Sequence, residues 1–133
     1  MSKLTLLIED FGKALSRLEE VLAKENDAEN IVRDSAIQRF EIVFDLGWKT
    51  AKAFLEEHHT ITCTSPRSCF RELFHQGVIE HDPFWIEVTS LRNYTTHTYS
   101  ELLAQKVYAE LPQTLKRFRE LHEKLRADKS GLE

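Results

Sequence analysis

The chain has 133 residues, 41% apolar and 30% charged, and a net charge of −4. That length suits one domain spanning residues 1–133, burying roughly two-thirds of the surface its unfolded chain exposes. The acid excess excludes attraction to nucleic acid by bulk charge, so contact with RNA or nucleotide has to come from a local cluster, and no DNA partner is expected.

The first element starts almost at Met1. Leu4, Leu7, Ile8, Phe11, Leu15, Leu18 and Leu22 recur at three- and four-residue steps, the signature of a helix with one apolar stripe. Lys13, Arg17, Glu20 and Lys24 form its charged back. The uncharged run from Leu4 to Ile8 is too short for a signal-peptide core or a membrane span, so no membrane contact and a cytoplasmic location are expected. A polar stretch from Glu25 to Asn30 makes a turn.

A second, long helix is predicted from about Ile31 to His58. Ala36, Ile37, Phe40, Val43, Phe44, Trp48, Ala51, Phe54 and Leu55 draw its stripe. Ile42 and Leu46 lie off it, which predicts cover on more than one side. Gly47 costs roughly 1 kcal/mol against Ala in a helix interior, and a close helix approach beside Trp48 would explain it. Glu41, Asp45 and Lys49 share a face at four-residue steps; they read first as a solvated face, with a place flanking a functional cleft as the alternative.

Ser65-Pro66 reads as N-cap and first residue of a short helix carrying Cys69, Phe70, Leu73 and Phe74, with Gly77 as its stop. Cys63 and Cys69 form no CxxC and read as free thiols, and no histidine spacing suits a metal site. Asp82-Pro83 starts a fourth helix through Phe84, Trp85, Val88 and Leu91, with Arg92 near its end. Thr98-Tyr99-Ser100-Glu101 matches a capping box, with Thr98 at N-cap and Glu101 at N3. The last helix follows, with Leu103, Val107, Leu111, Leu115, Phe118 and Leu125 as its core face. Pro112 should bend it near Tyr108, and a frayed tail is expected from about residue 127. The fold expected is all-α, a five-helix antiparallel up-and-down bundle.

The polar octet between the last two helices, Arg92-Asn93-Tyr94-Thr95-Thr96-His97-Thr98-Tyr99, carries the chemistry. Arg92 can grip a phosphate through two parallel hydrogen bonds. Histidine as a residue type has a reference pKa of about 6.5, which makes His97 the candidate general acid–base group of the octet. Together they suit phosphodiester chemistry that uses no metal or other cofactor. There is no glycine-rich phosphate loop and no paired-Asp polymerase signature, so nucleotide transfer by this chain alone is not expected.

The octet resembles the signature of HEPN domains: Arg, a short spacer and His, here with four intervening residues, Asn directly after the Arg and Tyr two after the His. The resemblance extends through Arg39-Phe40-Glu41, Leu46-Gly47-Trp48-Lys49, Ser65-Pro66-Arg67, Gly77-Val78-Ile79 and Trp85, and covers about Leu7 to Leu125. The branch it is similar to is that of nucleotidyltransferase substrate-binding proteins, encoded beside a minimal nucleotidyltransferase (MNT). The resemblance implies a helical bundle that forms a homodimer, with Arg92 and His97 catalytic in a metal-independent endoribonuclease and Asn93 in support. It implies a toxin–antitoxin module in which the cognate minimal nucleotidyltransferase is the antitoxin and transfers AMP to Tyr99. The alternative it carries is a non-catalytic substrate-binding subunit of a two-component nucleotidyltransferase.

Overall fold

The computed structural model describes residues 2–131. Among them the elements are all helical: α1 (Lys3–Leu22), α2 (Ile31–His59), α3 (Pro66–His75), α4 (Phe84–Tyr94), a 3-10 turn (Thr95–His97) and α5 (Glu101–Gly131). This is the expected five-helix bundle, and each helix starts on a local polar signal. Ser2 Oγ accepts from the Thr5 amide at 3.1 Å to cap α1. The Asn26 and Asp27 side chains accept from the Arg33 and Val32 amides at 3.0 and 2.9 Å, which satisfies free donors of α2. Ser65 and Ser68 form a reciprocal capping box at α3, with Pro66 in the first turn. Asp82 Oδ1 accepts from the Phe84 amide at 2.9 Å, and the Asp82 carboxylate also pairs with Arg117 of α5. Gly77, at φ +75°, takes the left-handed conformation that stops α3.

Phe118 of α5 is fully buried at the centre. It meets Phe11 of α1, Phe44 of α2, Phe70 of α3, and Phe84 and Trp85 of α4, with ring centroids 5.4 to 6.4 Å apart. Aromatic pairs of this kind contribute about 0.5–1.5 kcal/mol each beyond the area they bury. Gly47 explains the close approach: a Cβ there would lie 2.7 Å from Phe118 Cε1 and 3.3 Å from Phe11 Cζ. The partner of Gly47 is therefore α5. As its off-stripe residues suggest, α2 is covered by α1, α3 and α5.

Two expectations are corrected. Cys63 and Cys69 are bonded as a disulfide, not free. The linker after α2 folds back over the first turn of α3 and brings their Cα atoms to 5.3 Å, within disulfide range. The cap of α5 is Ser100, not Thr98: Ser100 Oγ accepts from the Leu103 amide at 3.4 Å, while Thr98 Oγ1 donates back to the Thr95 carbonyl at 3.2 Å. Glu101 does not close a capping box. Its carboxylate takes two hydrogen bonds from Arg33 of α2, at 2.8 and 3.1 Å. α5 runs through Pro112 and continues to Gly131, into the tail where fraying was expected; the last two positions of that tail, 132 and 133, lie outside the described residues.

Candidate functional site

Arg92 sits in the last turn of α4, where a cation complements the helix dipole. Its guanidinium points across to α2. Nη1 donates to Glu41 Oε2 at 2.9 Å and to Thr95 Oγ1 at 2.8 Å; Nη2 lies 3.5 Å from Asp45 Oδ2. Thr95 Oγ1 lies 3.0 Å from Glu41 Oε2 and 2.7 Å from the Arg92 carbonyl, and its single proton serves one of them. Arg92 Nε is buried with no partner among the described residues, so the group is held through its Nη atoms. Glu41 and Asp45 are thus part of the site rather than a plain solvated face. They sit one turn apart on α2, and Arg92 and Thr95 answer them at three-residue spacing.

His97 closes the 3-10 turn and is exposed. Its Nδ1 lies 3.2 Å from the Tyr99 hydroxyl, and the two rings meet edge to face at 5.8 Å. Tyr99 is 84% exposed and Leu102, one turn on, 80%. Asn93 is exposed, and its carbonyl accepts from Thr96 Oγ1 at 2.9 Å. The structure therefore forms two groups, Arg92 with α2 and His97 with Tyr99. No hydrogen bond joins Arg92 to His97 among the described residues.

One structural residue of this region escaped the sequence reading. Arg33 is only 2% exposed, yet it carries a charge that Asp34 and Glu101 balance. The hydrogen bonds it donates to Glu101, opposed by burial, raise its pKa further. In return Arg33 holds the Glu101 carboxyl below the ordinary range. This pair fixes the start of α5, and so the short segment carrying His97 and Tyr99, against α2. The sequence signal was weak: an arginine in the first turn of a helix, where the dipole disfavours a cation, suggests an acidic partner elsewhere.

The remaining chemistry is sparse. His122 bonds the Ile8 carbonyl at 3.0 Å and meets the Phe11 ring edge to face at 5.2 Å, a packing role. Among the described residues, no three His, Cys, Asp or Glu side chains converge as metal ligands, and no helix is long and apolar enough to cross a membrane.

Comparison with known proteins adds to this geometry. The family described as nucleotidyltransferase substrate binding protein like matches residues 6–127. The probable ribonuclease HepT of Haemophilus influenzae is 32% identical over 94 residues, 65% of this chain and 64% of that protein. The chain thus matches a little under two-thirds of that relative's length. A Thermus thermophilus protein of known structure superposes with a TM-score of 0.76 at 30% identity, covering 89% of this chain and 97% of that one. A Haemophilus influenzae structure described as revealing the fold of a substrate-binding domain of a nucleotidyltransferase gives a TM-score of 0.76 at 23% identity, over 90% of this chain and 98% of its own. At that identity the likeness speaks for the fold alone.

Proposed function

This chain belongs to the nucleotidyltransferase substrate binding protein like family, and from that premise we propose that it is a HEPN toxin-like, metal-independent endoribonuclease controlled by a partner nucleotidyltransferase. The observation that carries the reading is the His97–Tyr99 contact. An exposed imidazole shares a 3.2 Å contact with an exposed phenol, in a segment directly after the helix that holds Arg92.

In this mechanism His97 takes the proton from an RNA 2′-hydroxyl, and the 2′-oxygen attacks the adjacent phosphorus. Arg92 stabilises the charge that builds on the phosphoryl oxygens. The bond to the 5′-oxygen breaks, and that oxygen leaves with a proton from a second acid. The products are a 2′,3′-cyclic phosphate and a 5′-hydroxyl. One imidazole does not serve both steps at once, so a homodimer supplies the second His97. The exposed Leu102 and Tyr99 beside the motif support an apolar contact at this end. Exposed Asn93, directly after Arg92, serves as a polar support. AMP placed on Tyr99 by the antitoxin would replace the proton of its contact with His97 by a bulky anion and repel a phosphate substrate. The cytoplasm supplies both the RNA and the nucleotide; there the Cys63–Cys69 bond is exposed to a reducing poise.

The alternative is a non-catalytic subunit that presents a substrate to a separate nucleotidyltransferase. One observation favours it: with Glu41 and Asp45 on Arg92, the local charge is 1 − 2 = −1, which weakens the pull on a phosphate. Incubating the purified dimer, unmodified at Tyr99, with RNA in EDTA beside His97→Ala decides between them. Cleavage by the wild type alone supports the nuclease. An inert wild type that still binds its nucleotidyltransferase overturns it in favour of the presenting subunit.

A further inference from the structure

The arginines of the described chain divide by partner. Arg33, Arg92, Arg117, Arg119 and Arg126 each lie within ion-pair distance of a carboxylate. Arg17, Arg39, Arg67 and Arg71 have no such partner among the described residues, nor has Lys13. Arg67 and Arg71 share a pocket wall with Glu80 and Asp82, which offset their charge. Lys13, Arg17 and Arg39 come from two different helices and line one groove between α1 and α2, with a volume of about 380 Å³. Asp10 is the one acid on its wall, and Ile42 and Leu46 form its apolar side. The wall charge is therefore 3 − 1 = +2, in a chain of net charge −4. An electropositive groove on an acidic protein selects an anionic ligand locally while the rest of the surface repels it.

The groove also answers a difficulty at the Arg92 site. The two carboxylates leave that site with a local charge of −1, so Arg92 does not by itself draw in a phosphate. The cations that can do so line the groove beside the neighbouring face of α2: Arg39 on α2 itself, and Lys13 and Arg17 across from it on α1. Ile42 on the groove wall and Asp45 at the Arg92 site are three residues apart on α2, hence adjacent on its surface. Ile42 is 48% exposed, a bare apolar step between the two. Lys13 and Arg17, one helical turn apart, present two cations about 6 Å apart along α1, a spacing that successive phosphates of one strand can match.

We propose that the α1–α2 groove formed by Lys13, Arg17 and Arg39 is a backbone-binding track for single-stranded RNA, which passes over Ile42 to reach Arg92 and His97. The proposal rests on the reading of this chain as an RNA-acting protein. It extends that reading by assigning affinity to one face and chemistry to another. A protein partner fits the groove less well. Protein interfaces are enriched in aromatic residues and Met, whereas this groove has no aromatic or Met side chain on its wall. Recognition here is of phosphates, so it is strong in low salt and indifferent to sequence.

The test uses full-length His97→Ala protein, which leaves RNA intact, and a fluorescein-labelled single-stranded RNA followed by anisotropy. Neutralising three phosphate contacts predicts a slope of log affinity against log salt of about −2. The K13Q/R17Q/R39Q variant should bind at least about tenfold more weakly, with the slope moved toward zero. K13Q/R17Q, which alters only exposed positions of α1, should lose part of the affinity and guards against a folding defect at half-buried Arg39. In the active protein the same changes should raise KM for RNA and leave kcat within about threefold. Unchanged RNA affinity in both variants overturns the track, even if the wild type cleaves RNA. Groove-dependent binding without cleavage keeps the track and removes the nuclease reading. Equal displacement of the RNA by poly-glutamate would overturn it in favour of an acidic protein partner.

Discussion

The two halves of the Arg-His motif are held in opposite ways. Arg92 is partly buried and oriented by Glu41, Asp45 and Thr95. His97 stands on an exposed turn, and its side-chain bond is to a tyrosine that is itself almost fully exposed. A charge-stabilising group works best when its geometry is fixed before the substrate arrives. A proton-transferring group needs access to the reacting oxygen and to a partner that can gate it. Under the proposed nuclease reading, the contrast assigns preorganisation to the α2 face and access to the turn.

Breaking the fixed half should have the largest effect. Arg92→Ala is expected to lower RNA cleavage by on the order of 10³-fold, read as kcat in single-turnover assays. A loss of less than tenfold would mean that the guanidinium is structural. Glu41→Gln keeps the shape but weakens the hold, and should cost about tenfold in kcat with little change in KM. If Glu41→Gln instead raises the rate, the carboxylate was restraining Arg92 rather than aiming it.

The anchor beneath the free half gives a pH test. Arg33 lowers the folded pKa of Glu101, so the pair's contribution is present above the ordinary carboxylate range and is lost as pH falls through the lowered value. Glu101→Gln should therefore lower the melting temperature at pH 7, and the gap to wild type should close as the pH falls through and below that lowered value. A gap that stays constant with pH would show that the pair contributes by packing alone. The smallest effect is expected at Tyr99. Tyr99→Phe should leave cleavage within about threefold, since His97 needs the phenol for no bond-making step, yet abolish AMP transfer measured by intact mass with the partner enzyme. Transfer that persists in Tyr99→Phe would move the modification elsewhere.

Much of the fold was legible in the sequence, because its signals are local. The three- and four-residue apolar steps of α1, the Ser65-Pro66 start and the Gly77 stop all act within one turn of the chain. The octet was legible for the same reason, as a polar stretch at a helix junction. What was hidden depends on register between distant helices. Glu101 three residues after Thr98 looks like a capping box, but Arg33, 68 positions earlier, takes its carboxylate. Glu41 and Asp45 look solvated until Arg92 reaches across from α4 to them. Cys63 and Cys69 meet because the linker doubles back, which no spacing rule states.

The ring of Phe118 has a consequence beyond packing. One side chain touches aromatic residues from all four other helices, so it serves as a common vertex rather than one contact among many. Withdrawing any helix opens a wall of the same small chamber. Helices α2, α4 and α5, which carry Glu41, Arg92 and the α5 anchor Glu101, thus share one packing centre, so Phe118→Ala should loosen all three together rather than one at a time.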